Sequence, residues 1–172
     1  VKFYAHFIYP EKVVCPRTDD EVRAAMKDYE VAGLPGAFAS VDCVHVVWDA
    51  ANANLKNLTT NGKNGKVKTM VFQVACDHRR RILHSTHAFV GTSSDKTVTI
   101  YDDFVQNVVT GGYAHIDYKL YNRDKDEYTI RGPWLLVDGG YTKSTPFMQC
   151  PLKNMDGRGA EGRWHHWMES MR

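Results

Sequence analysis

Two aspartates, Asp42 and Asp138, follow apolar runs of the sequence that have the character of buried strands. Carboxylates that neighbouring strands deliver to one edge of a sheet are suited to hold Mg2+ for phosphodiester chemistry, because this ion prefers oxygen ligands. We therefore interpret the pair as the centre of a metal-dependent site. A strand-end aspartate also caps turns, and for either side chain taken alone that structural role is the commoner one.

Length and composition limit the classes of protein to which the chain can belong. Its 172 residues suit one domain, and 43% hydrophobic content excludes a disordered tail as the main content. The four cysteines are widely spaced and form no CxxC pair, which favours a reducing compartment over a disulfide framework. The sequence has no apolar run long enough to span a membrane, and we expect no signal peptide at its start. Because it lacks an initial Met and ends within a helical pattern, we expect it to be a fragment.

Positive charge is concentrated between residues 50 and 81, although the net charge of the whole chain is only +2. This stretch holds seven Lys and Arg residues against one acid, Asp77, and it would attract an anionic partner. The alternative is a solvated loop that lysines keep soluble. The lysines that we expect to contact nucleic-acid phosphates are Lys56, Lys63, Lys66 and Lys68.

The elements that must position the two aspartates follow from hydrophobic periodicity and turn residues. The sequence from Thr18 to Glu21 is a capping box, which predicts a helix to about Val31. Three antiparallel strands follow at residues 38–48, 67–76 and 82–90, and we expect the first to be buried on both faces. A helix is predicted over 94–108, with Ser94 or Asp95 as its N-cap.

The remaining segments complete an α/β fold. Residues 113–130 predict an exposed, inserted hairpin, residues 134–137 a short buried strand, and a closing helix begins near Glu161. Three antiparallel strands, then a helix and a further strand, with flanking helices, are typical of a ribonuclease H-like mixed sheet.

Several short motifs, taken together and in order, resemble PIF/Harbinger-type transposases, in the plant transposon protein branch of the DDE endonuclease families. They are Gly33-Leu34-Pro35-Gly36, Ser40-Val41-Asp42-Cys43-Val44-His45, His87-Ala88-Phe89, Gly91-Thr92-Ser93-Ser94-Asp95 and Leu136-Val137-Asp138-Gly139-Gly140-Tyr141. The resemblance covers roughly residues 30 to 172. It implies a lead-in and helix over residues 1–32 and an endonuclease domain over 33–172, truncated at its C-terminal helix.

The resemblance also implies function. The family's D-x-x-H aspartate corresponds to Asp42 and its D-x-G-Y aspartate to Asp138. These two would be catalytic residues that hold Mg2+ or Mn2+, and Asp42 would bridge two ions during DNA hydrolysis or strand transfer. The family's third acid is a helical Glu that would lie about one turn past Arg172, with Glu169 as a less favoured stand-in.

Partners and location follow from the same resemblance. The expected partners are DNA at transposon ends, a separate Myb-like DNA-binding protein and further copies of the chain, in the nucleus. The alternative is a domesticated or decayed relative that binds DNA or protein without catalysis. Whether the chain is an enzyme therefore stays open.

Other polar and aromatic residues receive mainly structural interpretations. Asp95 is expected to be an N-cap, although it matches a recurrent family aspartate, and Asp102 with Asp103 is expected on the solvated side of a helix. We expect His45 to support the fold. The pair His165-His166, beside Trp164 and Trp167, is expected on a buried aromatic face. Four tyrosines of the inserted segment are candidates for base stacking or for a core or partner interface: Tyr113, Tyr118, Tyr121 and Tyr128.

Overall fold

A computed structural model of the chain describes residues 9–13, 15–49, 54, 56–61, 67–141, 145–151 and 158–171, and the structural statements below concern these residues. The elements in chain order are α1 (Tyr9–Lys12), α2 (Asp19–Val31), β1 (Ala37–Val47), α3 (Lys56–Thr59), β2 (Thr60–Asn61), β3 (Val67–Cys76), β4 (Ile82–Ser85), β5 (Phe89–Val90), α4 (Asp95–Ile100), α5 (Asp103–Val109), β6 (Asp117–Tyr121), β7 (Glu127–Arg131), β8 (Trp134–Leu136), β9 (Met148–Gln149) and α6 (Ala160–Met171). None of the described helices is long and apolar enough to cross a membrane.

Strand β1 lies at the centre of a mixed sheet. It pairs antiparallel with β3 on one side and parallel with β8 on the other. Strands β2, β4 and β5 pair antiparallel with β3, and β9 pairs parallel with β8. Strands β6 and β7 form a separate hairpin at the predicted place. The predicted α/β class, with a mixed and mostly antiparallel sheet and flanking helices, is confirmed.

The capping box at the start of α2 is present in both directions. The Thr18 hydroxyl accepts a hydrogen bond from the Glu21 N–H at 3.3 Å, and the Glu21 carboxylate accepts one from the Thr18 N–H at 3.2 Å. This confirms the predicted helix start, because the two residues satisfy donors that the first helical turn leaves unpaired. The division of the chain at residue 33 stays a prediction.

The core has two parts because successive residues of a strand point to opposite faces. In β8 and the residue after it, Leu135 and Val137 join the larger cluster, whereas Trp134 and Leu136 join the smaller one. The smaller cluster also contains Met168 of α6, so α6 covers that face of the sheet.

Three predicted elements differ in detail from those observed. Strand β1 is buried over Ala37–Val41 only, and its residues from Asp42 onward are exposed or half-buried. The strand predicted over 82–90 is interrupted at residue 86, because the Thr86 hydroxyl accepts the bond from the Gln73 N–H at 3.0 Å in place of a backbone carbonyl. The helix predicted over 94–108 is two helices, because Asp102 caps a new start by accepting from the Val105 N–H at 3.1 Å.

Candidate functional site

The two predicted site aspartates follow paired positions of adjacent parallel strands. Ser40 of β1 is paired with Leu136 of β8, and Asp42 and Asp138 each come two residues later, Asp138 in the loop past the end of β8. Neighbouring strands lie about 4.8 Å apart, and successive side chains of a strand alternate between faces. The two aspartates therefore lie in one part of the sheet, with the side chain of Asp42 on the face opposite to Cys43.

Each aspartate also shapes its own stretch of backbone. An oxygen of Asp42 accepts a hydrogen bond from the Cys43 N–H at 2.9 Å. An oxygen of Asp138 accepts one from the Gly140 N–H at 2.7 Å, the geometry of a turn in which an aspartate binds the backbone two residues on. The turn-capping role that the sequence allows is thus present at Asp138, whereas Asp42 lies within β1 and bonds the next residue of the strand.

A third carboxylate, that of Asp95, lies beside Asp138. Its placement is seen at Gly140: an ideal Cβ built there would lie 2.8 Å from Asp95 Oδ2 and 2.9 Å from Asp138 Oδ1. The two oxygens are thus no farther apart than the sum of those distances. A glycine leaves the space into which both carboxylates point, whereas a larger residue would have to push them aside.

The expectation that Asp95 is merely an N-cap is incorrect. The N-cap of α4 is Ser94, whose hydroxyl accepts from the Thr97 N–H at 3.2 Å. Asp95 is the first helical residue, and its side chain extends toward the loop after β8. The matching motif from Gly91 to Asp95 was the available signal for its proximity to the strand-end aspartates.

Two neutral side chains line the same region. The Tyr141 hydroxyl lies 3.7 Å from the Cys43 sulfur, to which it donates. Burial raises the pKa of the Cys43 thiol to about 12. Burial also raises the pKa of Tyr141, and the neighbouring Cys43 and Asp42 raise it further. Both groups therefore remain protonated at neutral pH, which argues against a thiolate nucleophile and leaves the carboxylates as the reactive groups.

The chemistry of the donor set suits a hard divalent cation. Asp42, Asp95 and Asp138 offer only carboxylate oxygens, which Mg2+ and Mn2+ prefer to the softer ligands that Zn2+ takes. Within the described part of the chain, no three His, Cys, Asp or Glu side chains are close enough to form a ready metal cage. Asp95 and Asp138 are neighbours, whereas Asp42 stands one position before Cys43 on β1 and points to the other face of the sheet, so the three would have to converge further around an ion.

A sequence model of a plant transposon protein family matches residues 13–156, which is most of the chain. The chain belongs to the plant transposon protein family. No curated protein and no solved structure matches it. Membership indicates a transposon-derived protein, as the motifs predict, and the matched region of this plant transposon protein contains all three aspartates of the cluster.

Glu169, the stand-in for a third acid, lies outside the family match. It is exposed on α6, next to the buried Met168 that packs against the smaller core cluster. Its helix thus covers the face of the sheet to which Trp134 and Leu136 point. The further Glu expected past Arg172 lies outside the described residues.

The basic stretch is partly neutralised within the fold. Arg79 forms a two-pronged ion pair with Asp28 at 2.7 and 3.0 Å, and Arg81 pairs with the buried Asp77 at 2.7 Å. Of the four predicted phosphate-binding lysines, Lys68 is half-buried on β3 and Lys56 is described in its backbone only. The other two, Lys63 and Lys66, lie outside the described residues.

The four tyrosines divide between two environments. Tyr113 packs edge-on against Phe38 with ring centres 5.6 Å apart, and the ring of Tyr118 covers Gly36. Tyr121 and Tyr128 are exposed on the hairpin, where the hydroxyl of Tyr121 donates to Glu127 at 3.0 Å. Only the second pair has faces open to a partner.

The expectation of a buried aromatic face on α6 is wrong. Trp164 and Trp167 are 41% and 49% exposed, because Gly162 and Met168 take the buried positions of the helix. The Trp167 indole donates to the Ala32 carbonyl at 2.9 Å, so its ring lies along the end of α2.

The expectation that Asp102 is solvated is also wrong. Its side chain is 1% exposed, and it accepts a hydrogen bond from the Gln73 amide at 2.6 Å, whereas Asp103 is exposed. Two signals for this contact exist in the sequence. Gln73 is a polar residue amid the apolar strand β3, and Asp102 stands three residues before Val105, the spacing of an N-cap.

Proposed function

We propose that this plant transposon protein is a metal-dependent DNA endonuclease domain of PIF/Harbinger type, which hydrolyses or transfers phosphodiester bonds. The observation that carries the proposal is that Asp42 of β1 and Asp138, in the loop after β8, each come two residues after a paired position of adjacent parallel strands. Convergence of two carboxylates from separate elements is what a metal site for phosphoryl chemistry requires. Aspartates that only cap turns would not have to come from elements that converge.

The strand order supports a ribonuclease H-like fold. A central β1 has an antiparallel neighbour, β3, on one side and a parallel neighbour, β8, on the other. The segments β4 and β5 continue the antiparallel meander, and β9 extends the parallel side. This is the arrangement of three antiparallel strands and later parallel strands that the motif order predicts.

In this proposal Asp42 and Asp138 hold Mg2+ or Mn2+, and Asp95 adds a carboxylate at the Asp138 side. A bound ion would activate water or a 3′-hydroxyl and stabilise the leaving oxygen. The chain's own residues bind and orient: the backbone bonds at Cys43 and Gly140 fix Asp42 and Asp138, and Gly140 leaves room between Asp95 and Asp138. The protonated Tyr141 and Cys43 bring no competing negative charge.

DNA is the substrate in this proposal, and transposon ends are its natural form. The lysines after β1, of which Lys68 stands on β3, would meet phosphates through charge. Action in the nucleus, a Myb-like protein that supplies target recognition and association between copies of the chain belong to the same proposal. They rest on the resemblance of the motifs.

A second candidate function is a scaffold that binds DNA or protein without cutting. The observation in its favour is that no ready three-residue metal cage exists among the described residues. Such a domain would keep the fold and the basic residues and would dispense with the carboxylates.

Cleavage of a supercoiled plasmid in Mn2+ or Mg2+ separates the two. The endonuclease proposal predicts nicking by the wild-type chain that chelation abolishes and that Asp42→Asn removes. The exposed variant Asp103→Asn is the control and should cut like the wild type. Gel-shift of the same DNA in chelator, with no nicking under any condition, would overturn the endonuclease and leave the scaffold.

A further inference from the structure

A buried polar network lies next to the carboxylate cluster. At its centre is Gln73, which is fully buried on β3 opposite Cys43 of β1. The side-chain amide of Gln73 donates to Asp102 at 2.6 Å, and its oxygen accepts from the Thr99 hydroxyl at 3.0 Å. One amide thus binds both helices, α4 through Thr99 and the capped start of α5 through Asp102.

Asp102 is held from several directions. Its carboxylate accepts from the Gln73 amide and from the Val105 N–H, and His84 Nε2 of β4 lies 3.1 Å from it. That approach allows an ion pair when the imidazole is protonated, although the nitrogen lacks the alignment of a good hydrogen bond. The ring of His84 stacks on Phe104 at 5.3 Å, which fixes it against α5.

The network continues to the backbone of Asp95. The Thr99 hydroxyl lies 2.7 Å from the Asp95 carbonyl as well as 3.0 Å from Gln73, and its single proton can serve one acceptor at a time. The orientation of the amide is determined by its neighbours, since turning it would set its oxygen against the Asp102 carboxylate. Helix α4 is therefore tied to β3 at one end, and Asp95 begins its other end.

We propose that Gln73 and Asp102 are positioning residues, which fix α4 on the sheet and thereby set where the Asp95 carboxylate stands beside Asp138. This inference rests on the proposed function for its consequence, the metal site, but its geometric content is independent of any metal. Apolar side chains could hold α4 on the sheet at a lower cost in free energy, because a buried carboxylate needs several donors to offset its desolvation. A polar network instead specifies one arrangement.

A disulfide test measures the position of α4 without a metal. Asp95 is a hydrogen-bonding neighbour of the Cys43 thiol, so Asp95→Cys places a second thiol there. Diamide oxidises the two thiols to a disulfide and takes up their two hydrogens, and peptide mapping identifies the pair. We expect Gln73→Leu to slow this reaction about tenfold, because small displacements of reacting groups carry large rate costs. Gln73 also accepts from the Cys43 thiol at 3.8 Å, so the result counts only if Thr99→Val, which removes a hydroxyl of α4, slows the reaction as well.

Two further variants make the test decisive. Thr99→Val keeps the shape of the side chain and removes only the hydroxyl, so it should also slow disulfide formation. It can be tested even if Gln73→Leu does not fold. Trp134→Phe removes the indole bond to the Pro35 carbonyl (3.1 Å) at the far end of β8 and should leave the rate unchanged. An unchanged rate in both network variants would overturn the proposal.

A Mn2+ titration then separates this inference from the proposed function. In the wild-type background, Gln73→Leu should weaken Mn2+ binding about tenfold, the usual cost of losing a residue that supports a ligand. In an Asp95→Asn background the same change should have no effect, because its target is absent. Equal losses in both backgrounds would show a general structural role and contradict the proposal. If the wild type binds no Mn2+, the proposed function fails, and the disulfide rates alone decide the positioning claim.

Discussion

The protein uses aspartate in two regions that lie close together and are built in opposite ways. At the junction of α4 and α5, Asp102 is enclosed, accepts hydrogen bonds from β3 and α5, and has the imidazole of His84 at 3.1 Å. Asp42 of β1 is exposed, and Asp138, which follows β8, is half-buried beside Asp95. A carboxylate that is buried among donors stabilises the fold, whereas neighbouring carboxylates repel each other when both are ionised.

The energetic contrast follows from the neighbours of each group. Burial is the largest influence on the pKa of Asp102 and would raise it, but the neighbouring His84 together with the Val105 and Gln73 donors outweighs burial and lowers the pKa. The carboxylates of Asp95 and Asp138 stand side by side, and two like charges in that arrangement lower stability. Substitutions in the two regions should therefore change the free energy of unfolding by different amounts and in different directions.

The largest effect is expected for Asp102→Ala. Removing this carboxylate leaves the Gln73 amide and the Val105 N–H without their acceptor in the core, and we expect the free energy of unfolding to fall by about 3 kcal/mol. Urea unfolding followed by circular dichroism measures the loss. The next residue supplies the control, because Asp103→Ala on the exposed side should change the value by no more than about 0.5 kcal/mol. Equal, small losses of unfolding free energy in both variants would show that Asp102 is not a structural acid.

Acid should reduce the difference between wild type and Asp102→Ala. Because the pKa of Asp102 is lower in the folded chain than in the unfolded one, its contribution is fully present above its unfolded value of about 3.9 and is lost as pH falls through the folded value. The gap in unfolding free energy should thus be constant near neutral pH and narrow below about pH 4. Urea titrations at several pH values check this, and a gap that widens in acid would refute the assigned direction.

The smallest effect on stability is expected for Asp138→Asn. The amide oxygen can still accept from the Gly140 N–H, while the change removes one of the crowded charges. We expect the free energy of unfolding, measured in chelator, to stay within about 0.5 kcal/mol of the wild type or to rise. A loss comparable with that of Asp102→Ala would place Asp138 among the structural acids instead.

Local sequence patterns predicted the parts of the fold that depend on residues close together in the sequence. The capping box from Thr18 to Glu21 and the strand Val67–Cys76 depend on local bonds and periodicity, and both are found at their predicted places. The break of the helix at Asp102 depends on Gln73, a residue 29 positions earlier. The polar Gln73 in an apolar strand and the N-cap spacing of Asp102 are signals in the sequence, but neither pairs the two residues, so the helix looked continuous and Asp102 looked solvated.

The candidate site was predictable to the same extent. The apolar runs of the sequence predicted strands leading to Asp42 and Asp138. The parallel pairing of β1 with β8 then places the two aspartates on neighbouring parts of the chain. The contact between Asp95 and Asp138 could not be predicted from the sequence, because it depends on how α4 lies over the loop that contains Gly140. The exposure of Trp164 likewise depends on which face of α6 meets the sheet.

The central claim, that the strand-end aspartates form a divalent cation site, is tested most directly by a Mn2+ titration of the wild-type chain and Asp42→Asn, monitored by electron paramagnetic resonance. The account predicts that the wild type binds Mn2+ and that Asp42→Asn weakens binding by at least about tenfold, while Asp103→Asn binds as the wild type does. Identical binding curves for wild type and Asp42→Asn, or no binding by either, would contradict it.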